Sequence, residues 1–360
     1  MIYKKYLLSE FLTSVTVPSY AYTLIKIGYL KQLLMDKSSF QKLDEITDIN
    51  EFIEYISVYY PGLSFNAYTI EDIERALFHT YIKLIGKILS YSPENMRNFL
   101  KNFLTKFEIM NIKHVILGTI LGMSTQEKSK MVNMLVEKYL NNTDFMKSLI
   151  EISSLDQIQL FLRRTKYHKV IREGILYFKK TNEIFVLEAF LDQLFYNTLA
   201  DEIKFLNPKE KELISFYIRY VSEIYNLNII YRGIKNNIDR NLLQQFLVDT
   251  FLFFDSRILL FLMEQSTIED FISMLYQLLG RIGEFRSLFS KFEIDRNHII
   301  WSVETLYLDY FFKKFKMRAG EIEYLTIFKI MEVLIKKDKE IRLYILPKLV
   351  NLINEKYKIL

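Results

Sequence analysis

Apolar residues recur every three or four positions along much of the chain, and the clearest run lies between residues 208 and 235. Spacings of four and three alternate through this run at Leu213, Tyr217, Tyr220, Ile224, Leu227 and Tyr231. Such a pattern places these side chains on one face of an α-helix. Pro208 suits a first helical turn and Gly233 is typical of a helix end, so we expect a helix of roughly seven turns between them.

A second copy of this helix is predicted earlier in the chain. The stretch IYNLNIIYRG at 224–233 resembles IMNIKHVILG at 109–118. A constant offset of 115 residues links Pro93 with Pro208, Glu108 with Glu223, Asn111 with Asn226, and Gly118 with Gly233. Several matches at one offset indicate duplication, so we predict two related helices, each beginning near its proline and ending at its glycine.

Two further kinds of segment recur in front of these helices. A short helix, a second helix and the long helix follow one another in the same order, with predicted copies at 46–60, 70–89 and 93–118, then 152–167, 184–203 and 208–233, then 266–278, 302–315 and 321–334. In the short segments, Ser57-x-Tyr59 corresponds to Thr165-x-Tyr167. The third set is the weakest of the three.

The third set is also expected to be shortened. Glu188 precedes Glu223 by 35 residues, whereas Glu304 precedes Glu321 by 17. The pattern predicts three helical units at 1–121, 122–236 and 237–360. Their period is far longer than the roughly 34 to 47 residues of ordinary helical solenoids, which indicates triplication of a small helical domain.

Composition supports an all-α fold with a large core. Half of the 360 residues are apolar, and Gly and Pro occur only 10 and 5 times, too rarely for turn-rich architectures. Cysteine is absent, which excludes disulfides and thiolate chemistry. We expect the first segment, MIYKKYLLSEFLTSV, to be a helix of the mature protein, because Glu10 interrupts its apolar stretch. No uncharged apolar span is long enough to cross a bilayer, so we expect any membrane association to be peripheral.

Familiar catalytic and ligand-binding patterns are missing from the sequence. His79, His114, His168 and His298 are scattered without metal-ligand spacing, and no phosphate-binding loop is present. We therefore expect no metal, no cofactor and no catalytic residue. The net charge of +5 is too small to demand nucleic acid as a partner.

The repeated carboxylates and amides allow two interpretations. Glu108 and Glu223 could act as a general acid and base, but we favour pairing of each with a basic group on a neighbouring helix, because structural ion pairs imitate active sites. We expect Asn111 and Asn226 to bond backbone or neighbouring side chains rather than a substrate.

One basic patch stands out. The segment from Arg163 to Lys180 contains a single acid, Glu173, among seven basic residues: Arg163, Arg164, Lys166, Lys169, Arg172, Lys179 and Lys180. This patch could dock an acidic protein surface, anionic lipid headgroups or nucleic acid, or it could be a solvated face.

Several of these features together resemble a known family. They are the repeated Glu-x-x-Asn-[Ile/Leu] phrase, the Thr165-x-Tyr167 cue, LEAFLDQLFYNTL at 187–199 and YAYTLIKIGYLKQLL at 20–34. The chain resembles the central-stalk C subunit of archaeal and bacterial A/V-type ATP synthases, which corresponds to the d subunit of eukaryotic vacuolar ATPases. Glu223, Asn226, Leu227 and Gly233 carry the most specific phrase. Asn228 departs from the family, which commonly has a basic residue there.

The resemblance implies a non-catalytic coupling subunit. Members of that family form a funnel of three helical units, whose central socket receives the rotor shaft and which rests on the membrane proteolipid ring. It further implies a peripheral subunit at the cytoplasmic face of the membrane, serving proton or sodium transport and monomeric when isolated. The alternative is a generic all-helical scaffold or adaptor, and an unrecognised helical enzyme using Glu108 or Glu223 comes third.

Overall fold

The structure is a computed structural model. It describes residues 20–358 with the exception of Asn66, Phe205, Asn207, Ser290, Lys291, Glu293, Ile294 and Ala319. The helix expected within residues 1–15 lies outside the described residues. Within the described ranges every regular element is helical, which confirms the all-α prediction.

The first part of the chain forms short helices followed by two long ones. In chain order they are α1 (Ala21–Lys31), α2 (Lys37–Glu45), α3 (Ile49–Ser57), α4 (Ile70–Tyr91) and α5 (Glu94–Ile120). The middle part repeats this order with α6 (Thr125–Met131), α7 (Met134–Leu140), α8 (Thr143–Glu151), α9 (Leu155–Phe161), α10 (His168–Thr181), α11 (Ile184–Asp201) and α12 (Pro208–Lys235).

The last part contains α13 (Arg240–Phe246), α14 (Ser256–Met263), α15 (Ile268–Arg281), α16 (Arg286–Phe289), α17 (Ile299–Lys316), α18 (Ile322–Lys339) and α19 (Leu346–Lys358). A π-helical segment, Glu340–Ile345, joins α18 to α19 without a break. The segments that echo one another in the sequence all fall on helices.

Side-chain caps explain where many of these helices begin. Ser124 forms a capping box with Glu127 at the start of α6. Thr69 caps α4 and Asp255 caps α14 through backbone N–H groups of the first turn. None of the described helices is long and apolar enough to span a membrane.

The ends of α5 and α12 differ from the sequence prediction. Both helices continue two residues beyond Gly118 and Gly233 and end instead in a turn with positive φ, at Gly122 (68°) and Asn237 (52°). In each turn an amide N–H donates back to the carbonyl of the glycine, at 2.8 Å for Gly118 and 2.9 Å for Gly233. This bond is typical of a Schellman stop, so the two glycines precede the helix ends rather than form them.

The long helices contact one another in an order that returns to its start. α4 contacts α5, α5 contacts α11, α11 contacts α12, α12 contacts α17, α17 contacts α18, and α18 contacts α4. α1 packs against both α18 and α4. The short helices pack against the long ones, for example α6 and α7 on α5, and α13 and α14 on α12.

Aromatic and polar contacts also join long helices that do not follow one another in the chain. Phe103 of α5 contacts Tyr217 of α12, with ring centroids 6.3 Å apart. The hydroxyl of Tyr81 in α4 donates to the carbonyl of Leu334 in α18 at 2.9 Å. These residues belong to one continuous apolar core.

Candidate functional site

Glu108 is held by groups from the segment that follows α5. Its buried carboxylate accepts a hydrogen bond from the Tyr167 hydroxyl at 2.5 Å and one from the Asn142 side chain at 2.6 Å. The ammonium of Lys166 lies 3.3 Å away. Burial and the nearby carboxylate raise the pKa of Tyr167, which keeps the hydroxyl a neutral donor. The basic partner expected for Glu108 is therefore Lys166, which lies in the turn before α10.

Glu223 is bound mainly by backbone. Its Oε2 accepts the N–H groups of Leu252, Phe253 and Phe254 at 2.7, 2.8 and 3.0 Å, and its Oε1 accepts the Tyr307 hydroxyl at 2.6 Å. Burial raises the pKa of Glu223, and these four hydrogen bonds oppose the shift. The prediction of a basic partner is wrong for Glu223. The positive ends of successive backbone N–H dipoles face its carboxylate in place of a charged side chain.

Asn111 and Asn226 make the same pair of hydrogen bonds. The side chain of Asn226 accepts the N–H of Val248 and donates to its carbonyl, both at 2.9 Å. Asn111 does the same with the backbone of Asn133, at 2.9 and 3.2 Å. Each partner lies 22 residues beyond its asparagine. Both amides bond backbone, as expected, and fix the segment that follows each long helix.

Glu340 makes contacts that match those of the other two carboxylates. It is buried in the π-helical segment and accepts the N–H of Met35 and the ammonium of Lys337, each at 2.8 Å. The Tyr60 hydroxyl lies 3.3 Å from its Oε2. Glu321, which the sequence pattern aligned with Glu223, is instead the residue at the N-terminal end of α18. The contacts favour Glu340 as the third counterpart.

This assignment also changes the spacing within the third set of helices and the tyrosine that corresponds to Tyr167. Glu340 follows Glu304 by 36 residues, close to the 35 between Glu188 and Glu223. The hydroxyl of Tyr59, the residue matched to Tyr167 by sequence, pairs with Ser39 at 2.8 Å, and the adjacent Tyr60 reaches the carboxylate. The sequence match is therefore one residue away from the tyrosine that makes the contact.

Gly118 and Gly233 allow close packing. A Cβ at Gly118 would lie 2.7 Å from Cγ of Lys128, and a Cβ at Gly233 would lie 2.3 Å from Cδ1 of Leu243. In both copies the close neighbour stands ten residues later in the chain. Since α6 and α13 approach the long helices at these points, any added side chain would force its neighbour to shift.

A central cavity of about 310 Å³ lies where α5, α11, α12, α17 and α18 meet. Charged side chains in its wall are Lys106, Asp192, Glu304, Asp338 and Arg342. Arg342 bridges two of the acids, at 2.7 Å to Glu304 and 2.6 Å to Asp338. Burial alone would raise the pKa of Asp338, but Arg342 and Lys106 hold it at about 2.

This charged cluster was not predicted from the sequence. Asp338 and Arg342 lie four residues apart within KKDKEIRLY, a run whose charges are typical of a solvent-facing helix surface. The i, i+4 spacing of Asp338 and Arg342 is the signal that could have indicated their pairing. Their position facing the cavity depends on helices far apart in sequence.

All seven residues of the basic patch are exposed. Three of them have acidic partners: Lys166 contacts Glu108, Arg172 contacts Glu173 at 2.6 Å, and Lys179 contacts Asp156 at 2.5 Å. The others are Arg163, Arg164, Lys169 and Lys180. The patch lies on α10, on the turn before it, and on the 3₁₀ turn Leu162–Arg164 that follows α9.

The histidines remain apart in the structure. His79 faces Asn133, His114 lies 2.9 Å from the carbonyl of Met131, and His298 lies 2.7 Å from Asp295. Across the part of the chain that the structure describes, no group of three or more His, Cys, Asp or Glu side chains could hold a metal ion.

Tyrosine, amide and ammonium groups of the same chain bind the buried carboxylates of this fold. The protein is therefore of an all-helical class in which buried polar groups hold the helices in place. A sequence model of the ATP synthase (C/AC39) subunit family matches residues 26–343. The chain belongs to this family.

Individual relatives agree with this assignment. The A-type ATP synthase C subunit of Methanocaldococcus jannaschii is 26% identical over 227 residues, 59% of this chain and 54% of the relative. Those of Pyrococcus furiosus and Thermoplasma volcanium are 23% and 26% identical, over 64% and 61% of this chain. The matched regions span 60% and 62% of these two relatives, so the chain aligns with little more than half of each relative's length.

Proposed function

We propose that this chain is a non-catalytic central-stalk subunit of a rotary A/V-type ATP synthase or ATPase. In this role it couples the rotor shaft to the membrane proteolipid ring and serves proton or sodium transport. It lies peripherally at the cytoplasmic face of the membrane. The observation that carries the proposal is the family match over residues 26–343. The relatives, each an A-type ATP synthase C subunit, support it further.

The three-unit architecture is part of the proposal. We propose units at 1–121, 122–236 and 237–360, arranged around the central cavity. The closed order of contacts among the long helices supports this arrangement. The tyrosine contacts support it too, because each would reach from one unit to another: Tyr167 to Glu108, Tyr307 to Glu223, and Tyr60 to Glu340. The contacts of Glu340 also argue that the third unit keeps nearly full spacing between its last two long helices.

Such an arrangement suits the transmission of torque. A coupler must resist shear between its parts, and buried hydrogen bonds to carboxylates are directional contacts that break at a substantial cost. One such contact at each junction would lock the units against rotation relative to one another. The central cavity, with its charged and tyrosine-rich wall, is the proposed socket for the end of the shaft.

The alternative of a generic helical scaffold or adaptor makes a different prediction about binding. A coupler binds the shaft subunit of its own complex as an isolated protein, whereas a generic scaffold does not. The test is gel filtration of the purified chain mixed with the shaft subunit encoded by the same organism. A stable complex is expected, and its absence would favour the scaffold.

A cavity variant makes the test specific to the socket. Asn228 lies in the cavity wall, so Asn228→Trp would fill part of the space. The matched control is Lys87→Trp, on the exposed side of α4. We expect shaft affinity to fall at least tenfold in the first variant and to stay unchanged in the second. Equal binding by both variants would contradict the cavity as the socket.

A further inference from the structure

The basic patch is part of a helical hairpin. We call residues 155–181 the basic hairpin: α9, the 3₁₀ turn after it, and α10. α10 contacts α9 and the 3₁₀ turn, and the ammonium of Lys179 lies 2.5 Å from Asp156. Because this ion pair joins the start of α9 to the end of α10, the two helices run antiparallel.

Large apolar side chains are exposed within the basic hairpin. Leu160 is 67% exposed and Leu176 is 56% exposed, and Phe161 is partly exposed beside them. With Asp156 opposite Lys179, the antiparallel register places Leu160 at the level of residues near 175, so the two leucines lie at about the same height. Single exposed apolar side chains are normal on a protein surface, whereas a group of them is informative.

Cations flank this apolar pair on both sides. Arg163, Arg164, Lys169 and Arg172 lie toward the closed end of the hairpin, and Lys179 and Lys180 lie at the open end. The hairpin therefore presents an apolar centre between two positive ends, over about 20 Å of α10 at 1.5 Å per residue.

We propose that the basic hairpin binds the surface of an anionic phospholipid bilayer. Its cations engage the phosphate groups while Leu160, Phe161 and Leu176 enter the interfacial region. Apolar side chains combined with Lys and Arg are what bind proteins to such an interface, by burial of apolar area together with attraction to anionic lipid. The proposal rests on the peripheral membrane placement proposed above and deepens it.

The structure favours lipid over the other anionic partners. Four cations of the hairpin make no ion pair with the described residues, so their long side chains stay free to meet a diffuse layer of phosphates. Binding to nucleic acid bases would need an open aromatic face. The ring of Phe161 is stacked on Phe145 with centroids 5.5 Å apart, so one of its faces is covered. An acidic protein gains little from the exposed leucines unless it carries a matching apolar surface.

The experiment is sedimentation of the full chain with vesicles of defined composition. The wild type is incubated with phosphatidylcholine vesicles and with vesicles that contain about 30% phosphatidylglycerol, at about 50 and 300 mM NaCl. We expect binding to the anionic vesicles alone, with a large loss at the higher salt, because surface charges are screened.

Three variants locate the binding surface. The first replaces the cations at the closed end, Arg163→Gln, Arg164→Gln, Lys169→Gln and Arg172→Gln. The matched control removes the same charge from exposed lysines elsewhere, by Lys42→Gln, Lys83→Gln, Lys87→Gln and Lys101→Gln. The third is Leu160→Ser with Leu176→Ser. Binding should fall at least tenfold in the first, severalfold in the third, and less than twofold in the control.

Each other result would overturn the proposal. Equal loss in the control would show that net charge alone drives binding, and equal binding to neutral vesicles would remove the role of the cations. If the wild type binds no vesicles, while the first variant binds the assembled ATP synthase more weakly, the surface belongs to an acidic protein. Shaft binding measured on the same variants keeps the two proposals separate, because it should be unchanged whenever vesicle binding is lost.

Discussion

The hydroxyl of Tyr307 donates to Oε1 of Glu223 at 2.6 Å, and the two residues are separated by 84 positions in the chain. Tyr307 is fully buried in α17, and Glu223 is fully buried in α12. Burial and the adjacent carboxylate raise the pKa of Tyr307, so the phenol keeps its proton and acts as a donor. This contact joins two helices that are adjacent in the closed order of the long helices.

Removal of this hydroxyl should destabilise the protein. In Tyr307→Phe the ring still fills its space, but Oε1 of Glu223 loses its donor while remaining buried. We expect the free energy of unfolding to fall by about 1.5–3 kcal/mol, the usual range for a hydrogen bond to a charged group. Urea denaturation followed by circular dichroism measures the change.

The matched control is Tyr310→Phe on the same helix. Tyr310 is half-buried, and its hydroxyl has no hydrogen-bond partner among the described residues. Its loss should change stability by less than about 0.5 kcal/mol. Similar effects from the two substitutions would mean that the contact between Tyr307 and Glu223 contributes no more to stability than the hydroxyl of Tyr310 does.

Gly233 should resist substitution although it lies inside a helix. In Gly233→Ala the new methyl group would collide with the buried side chain of Leu243. Overpacking of this kind costs about 1–3 kcal/mol, which exceeds the gain in helix propensity. Gly28→Ala in α1 is the control, because no atom lies within 4 Å of the added Cβ. It should stabilise the protein by about 0.5–1 kcal/mol, and thermal unfolding of both variants decides the sign.

Much of the helical architecture could be predicted because its signals are local. Periodicity placed the long helices, and the repeated phrase correctly selected Asn111 and Asn226 as backbone anchors. Helix ends were harder to predict from the sequence. The helices stop at Gly122 and Asn237 through a positive φ, which both Gly and Asn adopt, so the residue type alone does not mark the stop. Gly118 was predicted to end its helix only because it is a glycine.

Neither the role of Glu340 nor the cavity could be predicted from the sequence, and the reasons are physical. Glu340 lies in a π-helical segment, where the rotation per residue changes, so a fixed offset no longer selects the same helix face. Arg342 and Glu304 meet across 38 residues, inside a cavity formed by helices from distant parts of the chain. Their charges predict a solvated surface until the packing of these helices is known.

Glu137 should make stability depend on pH near neutrality. Burial raises its pKa to about 7, against a hydrogen bond from Asn111, and its Oε2 has no partner among the described residues. An acid with a raised pKa in the folded state stabilises the fold at low pH and loses that contribution as pH rises through the folded value. The wild type should therefore lose stability between about pH 5 and pH 7.

The variant Glu137→Gln, which stays neutral, isolates this contribution. Relative to the wild type, its free energy of unfolding should increase between pH 5 and pH 8 by on the order of 2–3 kcal/mol. Glu151→Gln, an exposed position at the end of α8, should show no such trend. A difference between Glu137→Gln and the wild type that stays constant with pH would show that Glu137 does not titrate in this range.

Arg342 should be the most sensitive charged residue of the central cavity. Its guanidinium is the shared partner of Glu304 and Asp338, whose side chains are largely buried. In Arg342→Met both acids lose that partner, and breaking a buried ion pair from one side typically costs about 3–5 kcal/mol. We expect a loss of about 3 kcal/mol in urea denaturation at pH 7, the lower end of this range, because the Arg342 side chain is 30% exposed.

The pH dependence of this loss follows from Asp338. Its pKa of about 2 lies below the ordinary value, so its contribution is present above about pH 4 and disappears as pH falls toward 2. The difference between Arg342→Met and the wild type should therefore be largest at neutral pH and shrink below pH 4. Arg257→Met breaks the exposed pair with Asp255 and should change stability far less than Arg342→Met does at any pH. A loss in Arg342→Met that is equally small would show that the cavity acids are solvated well enough to stand alone, and the ion pairs would then contribute no rigidity to the proposed socket.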